Sequence, residues 1–109
     1  MLPIQIEVES ANQLLSEDDS VLLVDCREPH QYELVHLPNS LLVPTSDFLQ
    51  QVGQLEPHKD RRILVICHHG VRSHGVAQWL REHGYDRTQS ITGGIDAWSV
   101  KLNPELPRY

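Results

Sequence analysis

The chain alternates short apolar runs with segments in which apolar residues recur at helical spacing. The apolar runs lie at residues 21–24, 40–43 and 63–66, two short strand-like segments with polar residues lie at 4–6 and 89–91, and turn-forming residues border most of them. Runs of this length without polar alternation are typical of strands that are buried on both faces. The pattern therefore predicts five strands in a sheet that is covered on both sides.

The segments between the runs predict helices at 8–15, 29–34, 45–53, 73–83 and 94–98. In the third of these, Thr45 or Ser46 is expected to cap the helix, with Phe48, Leu49 and Val52 facing inward. Strands that alternate with helices indicate an α/β fold in three layers, with a mainly parallel five-stranded sheet and helices on both faces. In such sheets the functional site lies outside the carboxyl ends of the strands.

The composition fits one globular domain over residues 1–109. Apolar residues make up 39% of the 109 positions and charged residues 22%, as in ordinary folded proteins. The predicted core covers about residues 4–98, and the proline-containing segment 103–109 is expected to lie extended on the surface. No apolar run is long enough to span a membrane, and the amino-terminal residues do not have the pattern of a signal peptide.

The net charge of −6 argues against a nucleic-acid-binding or anionic-membrane-binding surface. Two cysteines, Cys26 and Cys67, are too few for a disulfide framework, which favours a cytoplasmic protein. A monomer and a homodimer both fit these properties.

Cys67 carries the strongest chemical signal in the chain. It follows the apolar run 63–66 directly and precedes the predicted helix 73–83, so it lies where a strand ends and a loop turns into a helix. In that loop the backbone N–H groups of residues 68–73 would surround the sulfur. Gly70 removes a side chain from the tightest part of the loop and can adopt a positive φ. This arrangement stabilises a thiolate and any anion bonded to it.

A second strand ends in polar residues at Asp25-Cys26-Arg27-Glu28. Because the strands are predicted to be parallel, this ending should open on the same edge of the sheet as Cys67. We expect Asp25 and Arg27 to form a local ion pair that supports the loop. Cys26 extends an apolar strand and is expected to be an inert core residue, with a resolving partner of Cys67 as the alternative.

Several motifs together resemble the rhodanese (sulfurtransferase) family in its small single-domain form. They are residues 23–28, Gln31-Tyr32, residues 36–40, Cys67-x-x-Gly70-x-Arg72-Ser73, and residues 93–98. The family usually has valine at position 26, glutamate at position 31 and glycine at position 39. Asn39 can adopt the left-handed conformation that a glycine would supply.

The resemblance implies a sulfurtransferase that needs no cofactor. Its substrate would be a small anionic sulfur donor such as thiosulfate, whose sulfane sulfur Cys67 would take as a persulfide. The sulfur would then pass to cyanide or a thiol. A non-catalytic module, or a carrier that delivers persulfide sulfur to a protein partner, is the alternative.

The other loop residues, namely His68, His69, Gly70, Val71, Arg72 and Ser73, would bind the substrate or the persulfide. Arg72 either acts on the thiol and the donor or pairs with a carboxylate such as Glu28, and both roles stay open. Adjacent residues do not converge easily on one tetrahedral ion, so no metal site is expected at Cys67, His68 and His69. The two histidines are expected at the mouth of the loop, where a protonated imidazole would attract an anion, and a purely solvated role stays open for either one.

The length of the loop argues against a cysteine phosphatase or an arsenate reductase of the same fold. The usual signature of those enzymes has five residues between the cysteine and the arginine. Here four residues, His68 to Val71, separate Cys67 from Arg72. The shorter loop predicts a cradle for one sulfur atom, too small for a tetrahedral oxyanion.

Overall fold

The computed structural model describes residues 1–109 and contains five strands and five α-helices. The strands are β1 (Gln5–Ile6), β2 (Leu22–Asp25), β3 (Leu41–Leu42), β4 (Ile63–Ile66) and β5 (Thr88–Ile91). The helices are α1 (Val8–Glu17), α2 (Pro29–Leu34), α3 (Phe48–Gln51), α4 (Val71–Glu82) and α5 (Gly94–Lys101). Their alternation confirms the predicted α/β class.

All five strands are parallel, in the order β1-β5-β4-β2-β3. Strands β2 and β4 lie side by side, with Val24 opposite Val65 and Asp25 opposite Ile66. Their carboxyl ends therefore meet at one edge of the sheet. This register brings the Asp25–Glu28 segment beside Cys67, as the parallel arrangement predicts.

Two apolar clusters cover the two faces of the sheet, which confirms the three-layer arrangement. On one face α1 and α5 pack over Leu23, Leu64 and Ile66. On the other face α4 and the 45–58 segment pack over Val24, Val65 and their neighbours. Alternate residues of β4 point to opposite faces, and all four are buried, which explains its uninterrupted apolar run.

The predicted helix at 45–53 is wrong in its extent and in one inward residue. Thr45–Asp47 forms a 3₁₀ turn, α3 has only four residues, and a second 3₁₀ segment runs from Val52 to His58. The Thr45 and Ser46 hydroxyl groups donate hydrogen bonds to the Glu28 carboxylate and do not cap the helix. Phe48 and Val52 pack against the core, whereas Leu49 lies on the outward side of this turn and is 76% exposed.

Two local conformations shape the connections. Helix α4 starts at Val71, two residues earlier than predicted, because Gly70 with φ of 94° ends the loop and stands before the first turn. Asn39 has φ of 63°, the left-handed conformation expected where the family favours glycine.

Residues 103–109 contain no helix or strand but are held to the domain. Leu106 packs against the apolar cluster under α5, and its carbonyl oxygen accepts a hydrogen bond from the Ser99 hydroxyl at 3.0 Å. Tyr109 reaches the carboxyl edge of the sheet, where it contacts Arg27 and His68. None of the helices is long and apolar enough to cross a bilayer.

Candidate functional site

Cys67 lies directly after β4, under the first turn of α4. Its side chain is only 1% exposed, and it belongs to the apolar cluster on the α4 face of the sheet. An isolated thiolate in such surroundings would be strongly disfavoured. The hydrogen-bond donors around the sulfur therefore decide whether it can ionise.

Three donors from the loop and from α4 converge on the Cys67 sulfur. The Gly70 N–H lies 3.1 Å from Sγ, and the Ser73 N–H lies 3.3 Å from it. The Ser73 hydroxyl is also 3.3 Å from Sγ and contacts the Ser90 hydroxyl at 2.8 Å, so Ser90 can donate to Ser73 while Ser73 donates to the sulfur. Among the loop amides expected around the sulfur, those of Gly70 and Ser73 make hydrogen bonds to it.

The start of α5 holds the loop from behind. The Ile95 N–H donates to the Cys67 carbonyl at 2.8 Å, and the Asp96 N–H donates to the His68 carbonyl at 3.1 Å. Gly94 makes this approach possible, because a Cβ at that position would lie 2.3 Å from the Cys67 carbonyl oxygen. With its outward carbonyls bound in this way, the loop turns its N–H groups toward the sulfur.

Cys26 lies next to Cys67, at the end of the neighbouring strand and in the same apolar cluster. The Cys26 thiol, followed by the Ser73 and Gly70 groups, lowers the pKa of Cys67 to about 4, although burial opposes this shift. The interaction with Cys67, together with burial, raises the pKa of Cys26. One thiolate and one thiol therefore lie next to each other at neutral pH, with the negative charge on Cys67.

Asp25 and Arg27 form a fully buried ion pair behind the loop. The Arg27 Nη2 atom lies 2.7 Å from Oδ2 of Asp25, and both side chains are 0% exposed. Arg27 also donates to the carbonyls of Gln31 and Val35 and, at 2.6 Å, to the Tyr109 hydroxyl. The pair thus joins β2, α2 and the last residue of the chain.

Glu28 supports the neighbouring segment and does not pair with Arg72. Its carboxylate accepts hydrogen bonds from the Ser46 hydroxyl, the Ser46 N–H and the Thr45 hydroxyl, and these bonds lower the pKa of Glu28. The Arg72 guanidinium contacts the Gln31 side-chain oxygen at 3.4 Å from two of its nitrogens. No carboxylate lies within 4 Å of Arg72, so its positive charge is not compensated by an ion pair.

The loop histidines stack at the edge of the site. His68 lies between the rings of His69 and Tyr109, with centroids 3.9 and 4.0 Å away. Burial and the neighbouring His69 lower the pKa of His68, which disfavours the protonated form that would attract an anion. His69 is exposed, and Val71 is 80% exposed at the loop surface.

The sequence did not predict a cluster of possible metal ligands that includes the two stacked histidines. The ligand atoms of His68, His69 and Asp96 all lie within 4.8 Å of one another, a spacing that a divalent cation could bridge. Arg108 already engages both Asp96 oxygens, at 2.9 and 3.3 Å. A cation would have to displace that arginine.

Comparison with known proteins agrees with this geometry. The family model for the Rhodanese-like domain matches residues 7–101. The chain belongs to the rhodanese-like domain family.

The relatives of this rhodanese-like domain include both small and large proteins. It is 35% identical over 95 residues to the thiosulfate sulfurtransferase GlpE of Vibrio cholerae, with 87% of each chain covered. It is 29% identical to the adenylyltransferase and sulfurtransferase MOCS3 of Arabidopsis thaliana, but it spans only 27% of that protein. A rhodanese-related protein from Thermoplasma volcanium superimposes with a TM-score of 0.82 at 25% identity, with 94% of this chain and 96% of that chain covered.

The effect of Cys26 on the pKa of Cys67 predicts how the reactivity of Cys67 depends on pH. Because the pKa of Cys67 is lowered, the reactive thiolate should persist at mildly acidic pH and be lost only as pH falls through that low value. Cys26→Val removes the largest contribution to the low pKa of Cys67. A hydrogen bond to a charged group is worth about 1.5–3 kcal/mol. We expect alkylation of Cys67 at mildly acidic pH to slow about tenfold.

The measurement is the rate of iodoacetamide labelling of Cys67 against pH, followed by peptide mass spectrometry. Cys26→Ser keeps a hydroxyl donor at the same position and should retain much of the wild-type profile. Identical profiles for Cys26→Val and wild type would show that the Cys26 thiol does not stabilise the thiolate.

Gly70 is expected to be intolerant of substitution. A Cβ there would lie 2.8 Å from the Gly93 nitrogen, at a φ of 94° that residues with a side chain rarely adopt. Gly70→Ala should cost about 1–3 kcal/mol of unfolding free energy. It should also slow alkylation of Cys67, because the shift of the loop that the new Cβ forces would move the residue-70 N–H away from Sγ.

Gly75→Ala is the matched control. Gly75 lies inside α4, and a Cβ there would meet nothing within 4 Å. Alanine should stabilise the helix by up to about 1 kcal/mol. The midpoint of chemical denaturation should fall for Gly70→Ala and rise for Gly75→Ala. Equal stabilities of the two variants would show that Gly70 is not required for the conformation of the loop.

Proposed function

We propose that this domain is a sulfurtransferase that takes sulfane sulfur from a small anionic donor, of which thiosulfate is the prototype. The observation that carries the proposal is the Cys67 thiolate, held by Gly70 and Ser73 inside a loop with only four residues between the cysteine and the arginine. The relationship to GlpE of Vibrio cholerae, a thiosulfate sulfurtransferase, supports the choice of donor.

The first half-reaction needs a nucleophile and a place for one sulfur atom. The Cys67 Sγ attacks the outer sulfur of thiosulfate and forms a new S–S bond. The old S–S bond breaks, and sulfite leaves with its electron pair. The N–H groups of Gly70 and Ser73 and the Ser73 hydroxyl then face the anionic persulfide, as donors do in an oxyanion hole.

The second half-reaction returns the enzyme to its starting state. A thiophilic acceptor, either cyanide or a thiol, attacks the outer sulfur of the persulfide. The S–S bond to Cys67 breaks, and the thiolate is restored without a change in charge. No metal or organic cofactor is needed for either step, since sulfur is both the nucleophile and the carrier.

Arg72 is the residue that we assign to the anionic donor. The domain carries a net charge of −6, which would repel an anion in general. The Arg72 guanidinium is part-buried at the site and contacts the neutral side chain of Gln31. Because no carboxylate neutralises it within 4 Å, it can offer a charge-assisted hydrogen bond to a thiosulfate oxygen.

A carrier role toward a protein acceptor is the second candidate. It is supported by MOCS3 of Arabidopsis, which is named both an adenylyltransferase and a sulfurtransferase. If the domain is such a carrier, the acceptor is a thiol of a protein that docks beside the exposed Val71 at the surface of the loop. The persulfide chemistry at Cys67 is the same in both readings.

The test compares two activities in one preparation. We expect thiosulfate and cyanide to give thiocyanate over many turnovers, and we expect no hydrolysis of a small aryl phosphate above the buffer rate. Colorimetric assays of thiocyanate and of the released phenol measure both. Faster aryl phosphate hydrolysis than thiocyanate formation would overturn the assignment in favour of the phosphatase reading.

A further inference from the structure

Cys26 is a second thiol at the site, and neither half-reaction of sulfur transfer uses it as a nucleophile. It is the first residue after β2, as Cys67 is the first residue after β4. The two strands are parallel and in register, with Asp25 opposite Ile66, so the next positions on each strand are Cys26 and Cys67. The Cys26 N–H donates to the Ile66 carbonyl at 3.0 Å, which carries the pairing up to the two cysteines.

Both side chains point to the same face of the sheet. Val24 and Val65 are register partners, and they lie in the same apolar cluster as the two cysteines, two residues further along each strand. Neighbouring strands lie about 4.8 Å apart, and a disulfide needs Cα atoms about 4.4–6.8 Å apart. The backbone spacing therefore permits a bond between the two sulfurs.

Cys67 is the only other thiol in the apolar cluster that contains Cys26. The Cys26 side chain is 0% exposed in the folded domain. The neighbouring Cys67, together with burial, raises the pKa of Cys26. A thiol in this position keeps its proton until the state of Cys67 changes.

We propose that Cys26 is a resolving thiol that discharges the Cys67 persulfide inside the protein and releases hydrosulfide. The step rests on the proposed function, since it begins with the persulfide. The Cys26 sulfur attacks the Cys67 Sγ, the bond between Sγ and the outer sulfur breaks, and a Cys26–Cys67 disulfide forms. The outer sulfur leaves with the electron pair of that bond and takes the Cys26 proton, so that a persulfide anion and a thiol become a disulfide and HS⁻.

The electrons in this step balance within the protein. The outer sulfur is reduced by two electrons to the level of sulfide, and the two cysteines end as an oxidised pair. An external dithiol, either a small molecule or a protein, must then reduce the disulfide to restore the starting state. The net activity is the reduction of sulfane sulfur to sulfide by a dithiol, in addition to transfer to cyanide or a thiol.

The experiment is a single turnover without thiol and without oxygen. Reduced wild-type protein is mixed with excess thiosulfate, and a sulfide-selective electrode follows the solution. We expect about one equivalent of sulfide per protein, after which the reaction stops because the disulfide is not reduced. Intact mass should show a protein two hydrogen atoms lighter, with the peptides of Cys26 and Cys67 joined.

Cys26→Ser and Cys26→Val are the matched variants. At mildly alkaline pH both should gain one sulfur atom and release no sulfide, because the nucleophile that would discharge the persulfide is missing. Using two substitutions separates the loss of the thiol from any local packing defect, which thermal unfolding of each variant reports. Wild-type protein kept anaerobic without thiosulfate should stay reduced.

Each outcome decides the question. A wild-type protein that keeps its extra sulfur and releases no sulfide overturns the resolving role and leaves the proposed function intact. Equal sulfide release from wild type and both variants also overturns it. Failure of all three proteins to gain sulfur or release sulfide rejects the proposed function itself, and the resolving step with it.

Discussion

Replacing Cys67 by serine should reduce thiocyanate formation by about 1,000-fold or more, because the serine hydroxyl is not ionised at neutral pH and is a far poorer sulfur nucleophile. The donors around the sulfur would remain, but they would hold a neutral oxygen. Steady-state assays of thiosulfate and cyanide turnover measure the loss.

The stability of the Cys67→Ser protein is the necessary control. Serine is slightly smaller than cysteine and can make hydrogen bonds with the Gly70 and Ser73 groups around it. The unfolding free energy should therefore stay within about 1 kcal/mol of wild type. Retention of more than a tenth of the activity by a folded Cys67→Ser protein would mean that another residue carries the sulfur.

Arg27→Met should produce the largest loss of stability among the site residues. Methionine fills much of the same volume but leaves the Asp25 carboxylate, which is 0% exposed, without its positive partner. Breaking a buried pair in this way costs about 3–5 kcal/mol. For a domain of this size the thermal midpoint should fall by about 10 °C or more, as calorimetry would show.

Two further variants test the cause of that loss. In the double variant Asp25→Asn with Arg27→Met, no buried charge is left alone, so part of the stability should return. Arg108→Met breaks an arginine–carboxylate pair of similar geometry, but Arg108 is 61% exposed, and such pairs are worth about 0–1 kcal/mol. Equal losses for Arg27→Met and Arg108→Met would contradict the role assigned to burial.

The sheet and the position of the site could be predicted from the sequence because their determinants are local. Strand β4 is an apolar run buried on both faces, and Cys67 follows it directly. The position of Cys67 in the sequence is therefore enough to place it at the carboxyl edge of the sheet. Gly70 also signals the loop by itself, since the turn needs a positive φ. These features depend on neighbours in the chain and on the parallel arrangement of the strands.

Contacts between distant segments could not be predicted in the same way. Tyr109 reaches Arg27 across 82 positions, and nothing in the Pro107-Arg108-Tyr109 sequence indicates that a ring will stack on His68. Gln31 as the neighbour of Arg72 is a similar case. Leu49 fits the helical pattern, but the way the 45–58 segment packs on the sheet turns Phe48 and Val52 inward and leaves Leu49 exposed.

The position of Cys26 could be predicted from the sequence only in part. Its apolar strand favours an inert core residue, and the structure does bury it completely. What the sequence could not give is the register of β2 against β4, which places it beside Cys67. A one-residue change in that register would point the two thiols to opposite faces of the sheet.

Intact-protein mass spectrometry shows whether Cys67 carries sulfur. Wild-type protein is mixed with thiosulfate and quenched in acid at the earliest accessible times. We expect the gain of one sulfur atom on the peptide that contains Cys67, its removal by cyanide, and no gain in Cys67→Ser. An equal gain in Cys67→Ser, or a wild-type protein that neither gains sulfur nor releases sulfide, would contradict this role of Cys67.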